Sequence, residues 1–226
     1  MSRVLPILFN TDMVRGILDG RKTVTRRLIK KLPDDAEFSG WLLDSTCQDD
    51  AKDIGSAGFK TLKQPTEKAG CLFVKPPYQT GDILYVRETC YKGLNRILYK
   101  ANYSENEKFY ENGKEIQIKW HPSIHMPKEA ARIWLKVKDV RVERLQEITP
   151  AQAEQEGVGD LFYEEIGCDD KNYGNPVDEK YGIAKEQFAW LWNSTIKKSD
   201  IGRYGWDANP WVWVIEFERC EKPENF

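Results

Sequence analysis

The chain has 226 residues and a formal net charge of −2, which suits one domain with large loops. This charge argues against a protein that coats nucleic acid without sequence preference, since such binding requires many phosphate-neutralising Lys and Arg side chains. The five cysteines form no C-x-x-C pair, and the sequence shows neither a signal peptide nor an apolar run long enough to cross a bilayer. We therefore expect a reduced, cytoplasmic protein with no membrane partner.

The first elements predicted are a short apolar strand at residues 5–9 and a helix at about residues 11–19. Apolar residues at helical spacing form one face of this helix, and Gly20 is a typical helix end. The segment 15–31 that overlaps its end contains a single acidic residue and seven basic ones: Arg15, Arg21, Lys22, Arg26, Arg27, Lys30 and Lys31. This is a basic patch on an acidic protein.

Lys22 and Thr25 lie three positions apart in this basic segment. A lysine can act as a base or an electrostatic anchor, a threonine hydroxyl can act as a nucleophile, and arginines bind anions or polar base edges. A purely structural interpretation is also open, because basic residues after a helix C-terminus interact favourably with the helix dipole.

Residues 31–70 are polar and rich in Gly and Pro, which indicates an insertion of loops. The turn at Gly81 then introduces a predicted strand at residues 83–88. It ends in Arg87 and Glu88, whose opposite charges point to opposite faces of the strand. The pair is either part of a binding site or an exposed ion pair.

The segment 120–127 contains His121 and His125 between two prolines. Histidines four apart can bind a metal on one face of a helix, but Pro122 and Pro127 prevent a helix here. No cysteine or paired acid nearby completes a zinc set. We expect a proline-framed loop that lines a pocket, with Ser123 as a binding residue, and no metal.

A long strand is predicted at residues 132–145, with a bulge near Lys138. Thr149 follows as the N-cap of a short helix, with Pro150 at its first position and Gln152 completing a capping box. Glu156 falls in the last turn, where the helix dipole disfavours a negative charge. This placement is typical of a proton-transfer group, although a solvated surface glutamate explains it equally well.

The rest of the chain is predicted to form an acidic loop or lid at residues 158–182 and a helix at residues 184–196. The aromatic stripe of this helix is interpreted as core. The last predicted strand, at residues 211–217, is apolar on both faces and is therefore central in its sheet.

Four motifs occur in the order found in ASCH domains, which belong to the PUA-like superfamily: I-L-D-G-R-K-T-V-T-R at 17–26, T-G-D-I-L at 80–84, A-E-Q-E at 153–156 and W-V-I-E-F at 213–217. The chain resembles phage or prophage members, and it is similar to the small bacterial N4-acetylcytidine amidohydrolases. The resemblance implies a single α+β domain over residues 1–226. It also implies a mixed β-barrel with flanking helices and insertions at about 29–70, 89–130 and 157–205.

The resemblance further implies that Lys22, Thr25 and Glu156 match the catalytic lysine, threonine and glutamate of these amidohydrolases. The expected activity is hydrolysis of the amide of an N4-acylated cytidine or a related modified nucleobase, without any cofactor. The expected substrate-binding residues are Arg21, Arg26, Arg87, Glu88 and Ser123. The alternatives are a noncatalytic RNA- or nucleotide-binding module, a ribonuclease, or a phage-derived interaction protein, because PUA-like folds serve several functions.

Overall fold

A five-stranded sheet organises the computed structural model of the chain, which describes residues 2–46, 48–61, 71–93, 96–111, 113–158 and 176–224. The predicted lid at 158–182 lies mostly outside these residues, as do Cys47 and Cys168. The strands are β1 (Val4–Leu8), β2 (Val24–Leu28), β3 (Glu37–Trp41), β4 (Ala57–Lys60), β5 (Cys71–Val74), β6 (Ile83–Arg87), β7 (Cys90–Lys92), β8 (Ile97–Tyr99), β9 (Phe109–Glu111), β10 (Lys114–Ile116), β11 (Trp134–Arg144) and β12 (Trp211–Cys220). The α-helices are α1 (Thr11–Leu18), α2 (Pro150–Gln155), α3 (Pro176–Thr195) and α4 (Ile201–Tyr204).

The protein is a mixed α+β structure. The main sheet has the strand order β1-β6-β11-β12-β2, in which β1 and β6 are parallel and the other pairs are antiparallel. Three smaller sheets, β3-β4-β5, β7-β8 and β9-β10, complete the described strands. None of these described sheets closes into a hydrogen-bonded barrel, but the guanidinium of Arg27 on β2 donates to the carbonyl oxygen of Leu8 on β1 at 2.8 Å. The two edges of the main sheet therefore approach each other.

The strand β12 lies at the centre of the core. Its residues Val212 to Ile215 are all buried, which confirms the prediction of a strand that is apolar on both faces. One face packs on a cluster that contains Ile7, Phe9 and Leu84. The other face packs on a second cluster with Phe188 of α3. The bulge predicted near Lys138 is confirmed, because the pairing of β11 with β12 shifts between Val137 and Asp139.

Two short helices, α1 and α2, end next to residues of the candidate site. The Asn10 side chain accepts a hydrogen bond from the Met13 N–H and caps α1. The capping box predicted for α2 is confirmed, since the Thr149 hydroxyl accepts from the Gln152 N–H and the Gln152 amide oxygen accepts from the Thr149 N–H. Gly157 ends α2 with a φ of 87°, a conformation that favours glycine.

Two sequence-based expectations differ from the structure. The segment 31–70, expected to be loops, contributes β3 and β4, whose side chains reach the main core through contacts of Phe38 and Phe59 with Trp211. The helix expected at 184–196 begins eight residues earlier, at Pro176. No described helix is both long and apolar enough to span a membrane.

Candidate active site

Lys22 lies in the segment between α1 and β2, and its side chain is completely buried. The ammonium Nζ donates to the Val24 carbonyl at 2.7 Å, to the Glu156 carbonyl at 2.8 Å and to Glu156 Oε2 at 2.7 Å. Three acceptors match the three protons of a charged ammonium group. Burial lowers the pKa of Lys22 below its usual value, and the charge and hydrogen bond of Glu156 oppose that effect.

Glu156 is the C-terminal cap of α2, and only 3% of its side chain is exposed. Its two carboxylate oxygens face different cations: Oε2 binds Lys22, and Oε1 lies 3.3 Å from Arg26. Lys22 and Glu156 therefore pair directly although they lie 134 positions apart, as the catalytic hypothesis requires. The interpretation of Glu156 as a solvated surface residue is wrong, because the carboxylate is buried and ion-paired.

Arg26 joins this pair from β2 as a third buried charge. Its guanidinium binds Glu143 on β11 and the amide oxygen of Gln152 on α2, each at 3.0 Å. The ring of Phe188 lies 5.8 Å from the guanidinium carbon. The Nε atom of Arg26 is buried and has no hydrogen-bond partner among the described residues. A buried donor without a partner is uncommon in folded proteins and is costly for stability.

Thr25 and Glu156 both line a cavity of about 360 Å³ at the free edge of β2. Thr25 is almost fully buried, and its hydroxyl takes part in no hydrogen bond among the described residues, including none with Lys22 or Glu156. Catalytic hydrogen bonds are often long or poorly aligned before a substrate binds, so the lack of a partner here does not exclude Thr25 as a nucleophile. The hydroxyl is available to a ligand.

The cavity has the composition of a small-molecule site. Its apolar wall comes from α1 and α3 and includes Met13, Phe188 and Trp192. Its polar groups are concentrated on β2 and at Glu156. Ligand pockets commonly combine apolar and aromatic walls with a few convergent polar groups, and their volumes begin at about 300 Å³.

The expected binding residues lie elsewhere: Arg87 ends β6, Glu88 follows it, and Ser123 begins the turn Ser123–His125. Arg87 donates to the carbonyls of Met126 and Ile124 and thereby holds the turn Ser123–His125 against β6. None of these residues is among those that line the cavity next to Glu156. Their contacts are those of a structural connection between the main sheet and the turn.

Glu88 is buried and binds Arg132 through two hydrogen bonds of 2.8 and 2.9 Å. It is therefore not the exposed ion pair considered from sequence. Arg21 lies closer to the site, where it donates to the Gly157 carbonyl at 3.3 Å and to Asp19 at 3.0 Å, but it does not line the cavity.

Much of the basic segment is engaged within the protein. Arg15 donates to the carbonyls of Ala101 and Tyr103, and Arg27 to that of Leu8. Lys30 and Lys31 are exposed. The segment is therefore a less continuous basic surface than the sequence indicates.

His121 pairs with Cys90 only through main-chain hydrogen bonds, of 2.8 and 3.1 Å. His125 ends a short 3₁₀ turn. Among the described residues, no three His, Cys, Asp or Glu side chains are grouped so that they could hold a metal ion.

Sequence reasoning missed Glu143 and Gln152 as partners of Arg26. Gln152 carries a signal, the capping box, but that motif says nothing about a second partner for its amide oxygen. Glu143 carries no local signal, because it reaches Arg26 only through the pairing of β11 and β2 with β12. Phe188 and Trp192 belong to the core, as expected, and they also line the cavity.

Comparisons of the chain with protein-family models, with curated proteins and with solved structures found no match.

Proposed function

We propose that the protein is an amidohydrolase that cleaves the amide of an N4-acylated cytidine or a related modified nucleobase, on a fold of the PUA-like ASCH type. The single observation that carries the proposal is the buried pair of Lys22 and Glu156, which adjoins a nucleoside-sized cavity lined by Thr25. A carboxylate that pairs with Lys22 and Arg26 next to a hydroxyl left unbonded by the described residues supplies the base, the positive charge and the nucleophile of an acyl-transfer site.

In the proposed reaction, the Thr25 hydroxyl attacks the acyl carbon and its proton passes to the Glu156 carboxylate. The tetrahedral intermediate collapses when the bond from carbon to N4 breaks and Glu156 returns the proton to the leaving amine. Water then attacks the acyl-threonine ester, again with Glu156 as the base. The carboxylic acid leaves, and the proton returns to Thr25.

Lys22 acts in this mechanism as a fixed positive charge rather than as the base. All three of its ammonium protons are already donated, two to carbonyl oxygens and one to the carboxylate. Together with Arg26, it favours negative charge that develops in the cavity.

The test is the hydrolysis of N4-acetylcytidine by the wild type, Thr25→Ala and Thr25→Ser. We expect Thr25→Ala to abolish turnover and Thr25→Ser to retain part of it, because only serine keeps a hydroxyl nucleophile. Thr23→Ala is the matched control, since Thr23 is the same residue type two positions earlier and does not line the cavity. Acid-quenched wild-type protein should carry one acetyl group on Thr25 by mass spectrometry. Unchanged turnover in Thr25→Ala would refute the nucleophile assignment.

A further inference from the structure

The main chain of β2 presents a free hydrogen-bonding edge to the candidate active site. Thr23 accepts a hydrogen bond from β12 at 2.9 Å, and Ile29 donates one to β12 at 3.0 Å. Because residues alternate along an antiparallel ladder, the odd-numbered residues of this segment bond to β12. The N–H and C=O groups of the intervening Val24, Arg26 and Leu28 therefore point away from β12, toward the open edge.

The contact of Lys22 supports this assignment of direction. The Val24 carbonyl, which the alternation leaves unbonded to β12, accepts from Lys22 Nζ at 2.7 Å. The main-chain groups of Arg26 and Leu28 take part in no hydrogen bond among the described residues, and both residues line the cavity. Arg26 is buried and Leu28 is half-buried, and the unpartnered Nε of Arg26 lies beside the same edge. Main-chain groups without partners are rare inside proteins.

The free edge is too short for a pairing strand. Lys22 occupies it at Val24, and β2 ends at Leu28, so two residues remain. The cavity volume of about 360 Å³ also suits a small ligand. The rings of Phe188 and Trp192 in the wall favour a planar one.

We propose that the Arg26 carbonyl and the Leu28 N–H read the hydrogen-bonding edge of a nucleobase whose donor and acceptor are adjacent. In a cytosine that carries one N4 substituent, N4–H donates to the Arg26 carbonyl and N3 accepts from the Leu28 N–H. This inference rests on the proposed function, and it names the feature by which that site selects its substrate. A base with two N4 substituents lacks the donor and is rejected.

The test compares Leu28→Pro with Leu28→Ala. Both variants lose the leucine side chain, but only proline also deletes the N–H. Proline is compatible with this position, since the Leu28 N–H faces away from β12 and the strand lies at a sheet edge. The probe is N4-methylcytidine, which keeps the donor and the acceptor and has no amide to hydrolyse.

We expect Leu28→Pro to bind N4-methylcytidine about tenfold more weakly than Leu28→Ala does, which corresponds to one lost hydrogen bond. N4,N4-dimethylcytidine should bind the wild type at least about tenfold more weakly than N4-methylcytidine for the same reason. Isothermal titration calorimetry measures both differences. Equal affinities of the two variants, or no binding of N4-methylcytidine to the wild type, would overturn the inference.

Two further measurements keep the test decisive if Leu28→Pro does not fold. Replacement of Leu28 by its α-hydroxy acid deletes the N–H and keeps the side chain. In ¹⁵N-labelled wild type, the probe should shift the amide resonance of Leu28 more than that of Arg27, whose N–H bonds to β12; equal shifts would contradict the inference. If Leu28→Pro binds N4-methylcytidine more weakly than Leu28→Ala does, but the wild type does not hydrolyse N4-acetylcytidine, the proposed function alone is refuted. If Leu28→Pro hydrolyses N4-acetylcytidine at the normal rate, this inference alone is refuted.

Discussion

Removal of the Glu156 charge should destabilise the protein strongly and in a pH-dependent way. Glu156→Gln keeps the size of the side chain but leaves the buried ammonium of Lys22 without its carboxylate. Breaking one side of a buried ion pair typically costs about 3–5 kcal/mol of unfolding free energy.

The pH dependence follows from the protonation of Lys22. The ordinary pKa of a lysine is 10.5. Removing the proton from its ammonium group therefore costs about 5 kcal/mol of free energy at pH 7 and about 2 kcal/mol at pH 9. These values are ceilings on the part of the penalty that comes from Lys22, and the lost contact of Glu156 with Arg26 adds a part that does not vary between pH 7 and pH 9, because arginine stays charged. Loss of Glu156 removes the two effects that raise the Lys22 pKa, so the folded value falls further below the unfolded one. Between these values the unfolded chain binds more protons, and stability rises with pH.

Urea denaturation at pH 7, 8 and 9 measures the effect. The control is Glu218→Gln, because Glu218 pairs with Lys138 at 3.4 Å with both side chains about half exposed. Its penalty should stay below about 1 kcal/mol at every pH. We expect a Glu156→Gln penalty of about 3–5 kcal/mol at pH 7 that decreases by up to about 3 kcal/mol between pH 7 and pH 9. Equal penalties in the two variants, or no decrease with pH, would refute the reasoning.

Three further substitutions test the backbone beside Lys22 and the buried ion pair of Glu88. In Gly157→Ala the residue keeps a φ of 87° and its new Cβ lies 3.1 Å from Lys22 Cβ, whereas in Gly20→Ala the φ is 77° and the Cβ meets open space. Thermal denaturation should show a loss of about 1–3 kcal/mol of unfolding free energy in both variants. The loss should be larger for Gly157→Ala, because only this variant adds a close contact. Arg132→Lys loses the two-pronged contact with buried Glu88, and should cost about 1–3 kcal/mol while the KM for N4-acetylcytidine stays unchanged. Equal losses at the two glycines, or a raised KM, would contradict these assignments.

Elements with local signals could be predicted from sequence. The capping box of α2 and the bulge of β11 depend on residues within a few positions of each other, so their patterns are visible in the chain. The start of α3 at Pro176 was missed because the acidic, glycine-bearing composition of residues 158–182 indicated a loop, although Val177, Tyr181 and Ala184 are at helical spacing and proline at a first helical turn is itself a signal. The strands β3 and β4 were missed because distant aromatic contacts stabilise them.

The candidate site, too, contains features that could be predicted from the sequence and features that could not. The pairing of Lys22 with Glu156 could be proposed only through a resemblance to a family, since nothing local connects residues 134 positions apart. Residue types alone could not show that Arg87 and Glu88 face other partners. Arg87 binds the carbonyls of Ile124 and Met126, and Glu88 binds Arg132, and these partners lie 37 to 44 positions away along the chain.

The central position of β12 has a consequence for the order of events during synthesis. Among the described strands β2 pairs only with β12, and the paired residues Thr25 and Ile215 are 190 positions apart (25 to 215). Closing so long a loop carries an entropic cost, and contacts of this range slow folding. While the chain emerges from the ribosome, β2, which supplies four of the cavity-lining residues, has no partner strand until β12 is made. The proposed activity should therefore be absent from every fragment that ends before β12, however well its earlier strands fold.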